Sequence, residues 1–334
     1  MSNAAEFGLL HGTRRAEHSV RRARLAEALG FASFWVPEDY AFPGAFSICA
    51  AIAGQTTTIK IGIGVLNPYT RHPVLTAMEF AALDQLSGGR GILGVGAGAK
   101  LYIEDKLGIP YARPVTAMRE TVAICRALFR GEELSHGGRV FKSGRLRLSA
   151  QPERSEIPIH LGATGVRSLR LAGEVADGVM LNCILSVEYI EAAVREIRNG
   201  AASAGRSLEK FAMGALLFVA MSDDEQRAKD AARPFVAWVV WLFACQPQLP
   251  IIAEAGLSTR DAQKLTESVK PQPELITDAA LHRFAIVGSA QRCRERLAEI
   301  VEAGITHPVL AVATIDEPER DLRRAVDQLV THFL

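Results

Sequence analysis

The sequence predicts an α/β chain folded as a (β/α)8 barrel, and three observations carry that prediction. β-Branched apolar runs alternate with amphipathic helical stretches along the whole length. The runs are apolar throughout rather than alternating, as expected of parallel strands buried on both faces. Eight strand-helix units can be read, which favours a closed barrel with right-handed crossovers over an open sheet.

The first strand is read over Phe7–His11 and its helix over Arg14–Leu29. Ser33–Pro37 follows as a strand, then a loop and a helix over Phe46–Gly54. The third strand, Ile59–Leu66, runs into NPYTRHP and a helix over Val74–Leu86. Pro73 suits a first helical turn, where its missing N–H costs nothing. Gly91–Gly96 is the fourth strand, followed by an irregular loop and a helix over Val115–Leu128. The fifth and sixth units are Ile157–Gly162 with Val166–Ala176, and Gly178–Asn182 with Val187–Ala204. Phe211–Ala220 is the seventh strand. Helix Ala290–Ala303, strand Pro308–Ala313 and helix Glu317–Phe333 complete the chain. Gly30, Gly205 and Gly304 each fall just past an amphipathic run, where helices end.

All 334 residues are therefore read as one barrel domain with two insertions. Leu134–Ser149 alternates as a hairpin over Gly137-Gly138. Asp223–Phe284 is a helical excursion after the seventh strand, read as a cover over the site. Within it, Trp238, Trp241 and Phe243 form a stripe that suits core or dimer packing better than a cofactor box.

Composition narrows the function. A net charge of +1 offers no basic field for nucleic acid. Cys49, Cys125, Cys183, Cys245 and Cys293 are dispersed, without a CxxC pair, as reduced thiols of a cytoplasmic protein would be. No zinc or other metal site is expected. No signal peptide is read in MSNAAEFG. PFVAWVVWLFAC, Pro234–Cys245, is shorter than the roughly 20 residues a bilayer requires, so no membrane partner is expected.

In a barrel, chemistry gathers at the carboxyl ends of the strands. Glu38, Asp39 and Tyr40 follow the second strand; the two carboxylates can move protons, or form a solvated loop or a helix cap. His11 ends the first strand and is either an acid–base group or a packed, satisfied histidine. Asn67 lies at the end of the third strand. Arg71 and His72 can hold an anion or a carbonyl, or form a surface pair at a helix start. Gly96, Ala97, Gly98 and Lys100 follow the fourth strand. This stretch matches GxGxxA, but no helix opens inside it, so close approach of a flat ring fits better than a dinucleotide site. Gly162, Ala163, Thr164, Gly165 and Val166 place small residues and free amides at a helix start, which suits phosphate, or they form an ordinary tight turn.

Taken together, FWVPEDY, IKIGIGVLNPYTRHP, LDQLSGGRGILGVGAGAK, IPIHLGATGVRSLRLAGEVADGVMLN and FAIVGSAQRCRERL resemble the luciferase-like flavin and deazaflavin superfamily, most closely its methylenetetrahydromethanopterin reductase branch. The resemblance spans nearly the whole chain. It implies a barrel, usually a homodimer, holding a tricyclic cofactor at the strand ends. It implies a cis peptide at Gly64-Val65 behind the ring, a phosphate held by Gly162–Val166, and Glu38 and Asp39 at the ring edge. Two positions depart from the pattern. Leu10 and His11 stand where the pterin reductases carry an acid, and Glu38-Asp39 stands where many relatives read Asp-His.

The expected function is hydride transfer between coenzyme F420, a deazaflavin, and a small organic substrate. Asp39, Glu38 and His11 would handle protons, and Tyr40, Arg71 and His72 would meet the substrate. Two alternatives stand beside it. One is a monooxygenase using FMN, oxygen and a flavin reductase partner. The other is a non-catalytic flavin-binding barrel, which would have no need of two carboxylates beside a phosphate turn.

Overall fold

In this computed structural model, residues 5–183, 185–244, 260, 263–264, 267–268 and 270–333 are described. The strands of the large sheet are β1 (Gly8–Leu10), β2 (Ser33–Val36), β3 (Lys60–Leu66), β4 (Gly91–Gly96), β7 (Ile159–Ala163), β8 (Gly178–Leu181), β9 (Ala212–Met221), β10 (Ile286–Gly288) and β11 (His307–Val312). Their order is β10-β9-β11-β1-β2-β3-β4-β7-β8, with a further β8–β9 pairing that gives the cyclic order of a (β/α)8 barrel. By contacts the chain divides into two compact units. One comprises Gly8–Met180 and Glu196–Ala212; the other comprises Met1–Phe7, Leu181–Arg195 and Met213–Leu334.

The first unit carries every candidate site residue. Its strands are buried almost throughout; β2 and β4 have no exposed position. Their helices are α1 (Ala16–Ala28), α2 (Ala45–Ala53), α3 (Pro73–Ser87), α4 (Pro114–Phe129) and α5 (Val166–Val175). Trp35 is fully buried in β2, and its indole donates to Ser33 Oγ at 2.9 Å. The ring lies across β3, where an added Cβ at Gly62 would collide with it and one at Gly64 would come within 3.0 Å. Glycine at these positions is what lets a tryptophan lie against the neighbouring strand.

Pro73 does open α3, and Gly30 has the left-handed φ of +82° expected of a residue just past a helix. The predicted hairpin is present as β5 (Leu134–Gly137) paired with β6 (Lys142–Leu146). Its turn lies one residue later than read, with the Gly138 amide donating to the Phe141 carbonyl at 2.9 Å. The buried Glu120 of α4 holds that turn by accepting from the amides of Arg139, Val140 and Phe141.

Leu101–Lys106 and β10 differ from the sequence expectation. Leu101–Lys106, expected as irregular loop, forms a π-helix with Ile103 buried beneath it. A widened turn breaks the 3.6-residue stripe on which helix recognition depends. The strand β10 was not anticipated because three residues leave no periodicity to read.

The second unit contains β9, β10 and β11, in parallel register. Its helices are α6 (Val187–Ser203, shared with the first unit), α7 (Glu225–Ala244), α8 (Asp278–Phe284), α9 (Ala290–Glu302) and α10 (Pro318–Gln328). Trp241 is buried on α7 and donates to the Ser268 carbonyl at 2.9 Å, while Trp238 packs against Phe235 at 6.0 Å. Much of the predicted helical excursion between α7 and residue 270, with Cys245, lies outside the described residues, as does the side chain of Phe243. The last helix ends at Gln328 rather than Phe333, followed by a short 3-10 turn.

Candidate active site

The bulge in β3 organises the strand ends. The Gly64-Val65 peptide is cis, and the β3–β4 register shifts between Ile63 and Leu66. Val65 lies over the neighbouring strands. An added Cβ at Gly96 would collide with Val65, and one at Gly162 would come within 3.2 Å of it. At Gly94 the clash would be with the Ile63 carbonyl. The small residues of β4 thus make room first for the protein's own Val65. Gly98, with φ +69°, lies beneath Tyr40: an added Cβ there would be 2.6 Å from the phenolic oxygen and 3.2 Å from Asn67 Cβ.

Glu38 and Asp39, adjacent in sequence, separate in role. Glu38 Oε2 accepts from the Ala45 amide at 2.7 Å, so this carboxylate caps α2. Asp39 is solvent-exposed but set into a small cleft shared with His11, Gly12, Thr13, Pro37 and Phe42. Loss of hydration there, joined by the Glu38 charge, raises the Asp39 carboxyl above its ordinary value. A carboxyl tuned upward at a strand end is suited to carrying a proton.

His11 faces the same cleft from the end of β1. Its Nδ1 is 3.1 Å from Ser19 Oγ on α1. Burial pushes the imidazole down to about 4, with Arg22 and then His18 adding to the shift. The ring is therefore neutral near pH 7.

The NPYTRHP loop is tied to its own frame. Asn67 is buried, and its Oδ1 accepts from the amides of Tyr69 and Thr70 at 3.0 and 2.9 Å, an Asx turn. Arg71 pairs with Glu79 at 2.5 Å and lies 5.1 Å from the Phe46 ring centroid. His72 caps α3, its Nδ1 accepting from the Val74 amide at 3.2 Å. Arg71 and His72 thus stand at the start of α3, one paired with Glu79 and the other capping the helix.

The turn after β7 is different. Ser168 Oγ accepts from the Gly165 amide at 3.2 Å and donates to its carbonyl at 2.8 Å, fixing the entry to α5. The next amides belong to the first turn of α5, where no intrahelical acceptor exists. An added Cβ at Gly165 would meet nothing within 4 Å. Ala163 is buried beneath the turn, and Val166 stands 52% exposed at its mouth. Open amides and a helix N-terminus make this a suitable phosphate cradle.

Beside Tyr40, which the sequence singles out, the structure assembles residues the sequence reading passed over. Tyr40 stacks on Tyr102 at 4.7 Å and 7°, with Lys106 over the far ring at 4.5 Å. Tyr69 and Tyr111 meet at 4.8 Å; their hydroxyls donate to the carbonyls of Ala112 and Gly98. Burial pushes the Tyr40 phenol up to about 12, against a backbone hydrogen bond from Ala99. The Tyr40 phenol therefore stays protonated. The one available signal was that four of the chain's 5 tyrosines lie between residues 40 and 111. Lys100, on the rim, is exposed and 3.7 Å from Glu104.

The sequence model of luciferase-like monooxygenases matches residues 2–307. The 5,10-methylenetetrahydromethanopterin reductase of Methanolobus tindarius is 32% identical over 293 residues, 86% of this chain and 87% of that protein. The F420-dependent glucose-6-phosphate dehydrogenase of Beutenbergia cavernae is 28% identical over 302 residues, 85% and 84% of the two chains. Among solved structures, the coenzyme F420 dependent tetrahydromethanopterin reductase of Methanopyrus kandleri superposes with a TM-score of 0.90 at 28% identity, covering 99% of this chain and 100% of that one.

Proposed function

This chain belongs to the luciferase-like monooxygenase family, and from that premise we propose that it is an oxidoreductase transferring hydride between coenzyme F420 and a small organic substrate. The observation that carries the reading is the α5 turn at a strand end, with Gly165 unobstructed and a helix N-terminus whose first amides have no intrahelical acceptor. That turn would hold the cofactor phosphate. Gly64 and Val65 would back the ring, with Gly96–Lys100 along its flank and Asn67 holding the loop beside it. When bound, the deazaflavin supplies the hydride chemistry at carbon 5.

The chain's own side chains supply positioning and protons. Asp39 holds a proton more readily than an ordinary aspartate, and His11 offers a neutral imidazole in the same cleft. Such groups contribute about 10²–10⁴-fold to a proton transfer. Tyr40, stacked on Tyr102 and protonated, stands against Gly98.

A homodimer belongs to the same reading. Leu75, Met78 and Leu86 are 48%, 50% and 63% exposed along α3, an apolar face of the kind that a second copy covers. Light scattering should give twice the chain mass. Among the described residues no helix is long and apolar enough to cross a membrane, and the described cysteines are free and buried, in keeping with a reducing cytoplasm.

Titration with oxidised coenzyme F420 and, separately, with FMN tests the cofactor. Tight F420 binding with weak FMN binding is expected. The reverse would make the chain an FMN monooxygenase that depends on a flavin reductase.

A further inference from the structure

Ser19 has no exposed surface. It lies on α1, on the same buried face as Arg22 three positions on, and meets His11 twice. Its hydroxyl is 3.1 Å from His11 Nδ1 and donates to the His11 backbone carbonyl at 3.5 Å. A serine hydroxyl has one proton to give. Spent on the carbonyl, it leaves Oγ as an acceptor toward the ring. An imidazole protonated at Nδ1 completes both contacts, and its Nε2 is then left with a lone pair. The partner of one ring nitrogen sets the state of the other.

We propose that Ser19 is a positioning residue that holds His11 in its Nδ1-protonated form, so that the cleft presents an acceptor nitrogen and takes its substrate through a hydroxyl group. The inference deepens the oxidoreductase reading and rests on its assignment of the cleft as the substrate site. Groups on several elements bear on it. His11 is walled by α1, with Arg22 and His18, and by the loop after β2, with Asp39. Burial and the Arg22 guanidinium oppose a second proton on the ring, which keeps Nε2 an acceptor near neutral pH. An added Cβ at Gly12 would lie 3.9 Å from Asp39 Oδ2. A hydroxyl has a proton to donate to an acceptor nitrogen on this small cleft, and it can accept from Asp39 whenever that carboxyl is protonated. A carbonyl substrate has no proton to offer Nε2.

Imidazole nitrogen NMR on the full-length protein reads the tautomer directly, without cofactor or turnover. His11→Gln assigns the signals. The wild type should show His11 protonated at Nδ1 at pH 7.5. Ser19→Ala should move the population toward the Nε2-protonated form, and Ser19→Thr, which keeps the hydroxyl, should restore it. A wild-type ring protonated at Nε2, or a tautomer unchanged in Ser19→Ala, overturns the assignment of Ser19. Should Ser19→Ala fail to fold, the wild-type tautomer alone decides. Cyclohexanol should shift the His11 Nε2 resonance and cyclohexanone should not. A response to the ketone, or to neither, overturns the hydroxyl preference. The F420 titration is read separately, so failure of the cofactor assignment and failure of this one are distinguishable.

Discussion

The turns after β3 and after β7 look alike in sequence: polar or small residues at a strand end, then a helix. Their construction is opposite. After β3, Asn67, Arg71 and His72 each spend their polar atoms on nearby amides or on Glu79. After β7, a single hydroxyl, Ser168, ties the turn down, and the first amides of α5 have no intrahelical acceptor beside an unobstructed Gly165. Side chains that face the backbone build a frame, whereas a helix start with an unobstructed glycine offers amides that a ligand can meet. The same division separates the adjacent Glu38 and Asp39.

The largest effect should come from the cleft. Asp39→Asn should lower F420-linked turnover by about 10²–10⁴-fold while leaving the melting temperature unchanged or slightly raised. The sign follows from linkage. The folded protein binds the Asp39 proton more tightly than the unfolded chain, so the ionised group costs stability at neutral pH, and removing it relieves that cost. An unaffected turnover would place Asp39 with Glu38 in the frame.

Asn67→Ala should act the other way. It strands two amides of a buried turn, and a loss of about 2 kcal/mol in denaturant unfolding is expected. Stability unchanged by this substitution would remove Asn67 from the frame.

A smaller effect, readable by pH, belongs to His11. Its folded pKa lies near 4, below the ordinary 6.5. Between those values the unfolded chain binds the proton and the folded chain does not. Stability should therefore be full above about 6.5 and fall as pH drops toward 4. His11→Gln should lose less stability than wild type between pH 7.5 and pH 4.5. Equal losses would mean that His11 is not buried as described. Smallest of all, Glu38→Gln keeps an acceptor for the Ala45 amide, so turnover should stay within about threefold of wild type.

Much of the frame was legible because buried parallel strands must be continuous apolar runs. Ile59–Leu66 and Gly91–Gly96 could be bounded within a residue for that reason. The π-helix at Leu101–Lys106 and the three-residue β10 lack the periodicity that makes an element visible. In the site, residue types at strand ends could be read but not their hydrogen-bond partners. The sequence could not tell that Glu38 turns to Ala45 while Asp39 stays in the cleft. Nor could it bring Tyr40 onto Tyr102, 62 positions apart (102 − 40), or Ser19 onto His11 through the first helical turns of α1. Those contacts are products of packing, not of local pattern.

The central claim is that the α5 turn, and not the polar loop after β3, holds the cofactor. Titrating wild type, Gly165→Asp and Arg71→Ala with oxidised coenzyme F420 tests it most directly. Aspartate at position 165 meets no steric obstacle and is a good helix N-cap, so the fold should survive while its charge repels phosphate. The account predicts at least about 100-fold weaker binding for Gly165→Asp, worth about 2.7 kcal/mol, and little change for Arg71→Ala. Unchanged affinity in Gly165→Asp, with binding lost in Arg71→Ala, would contradict it.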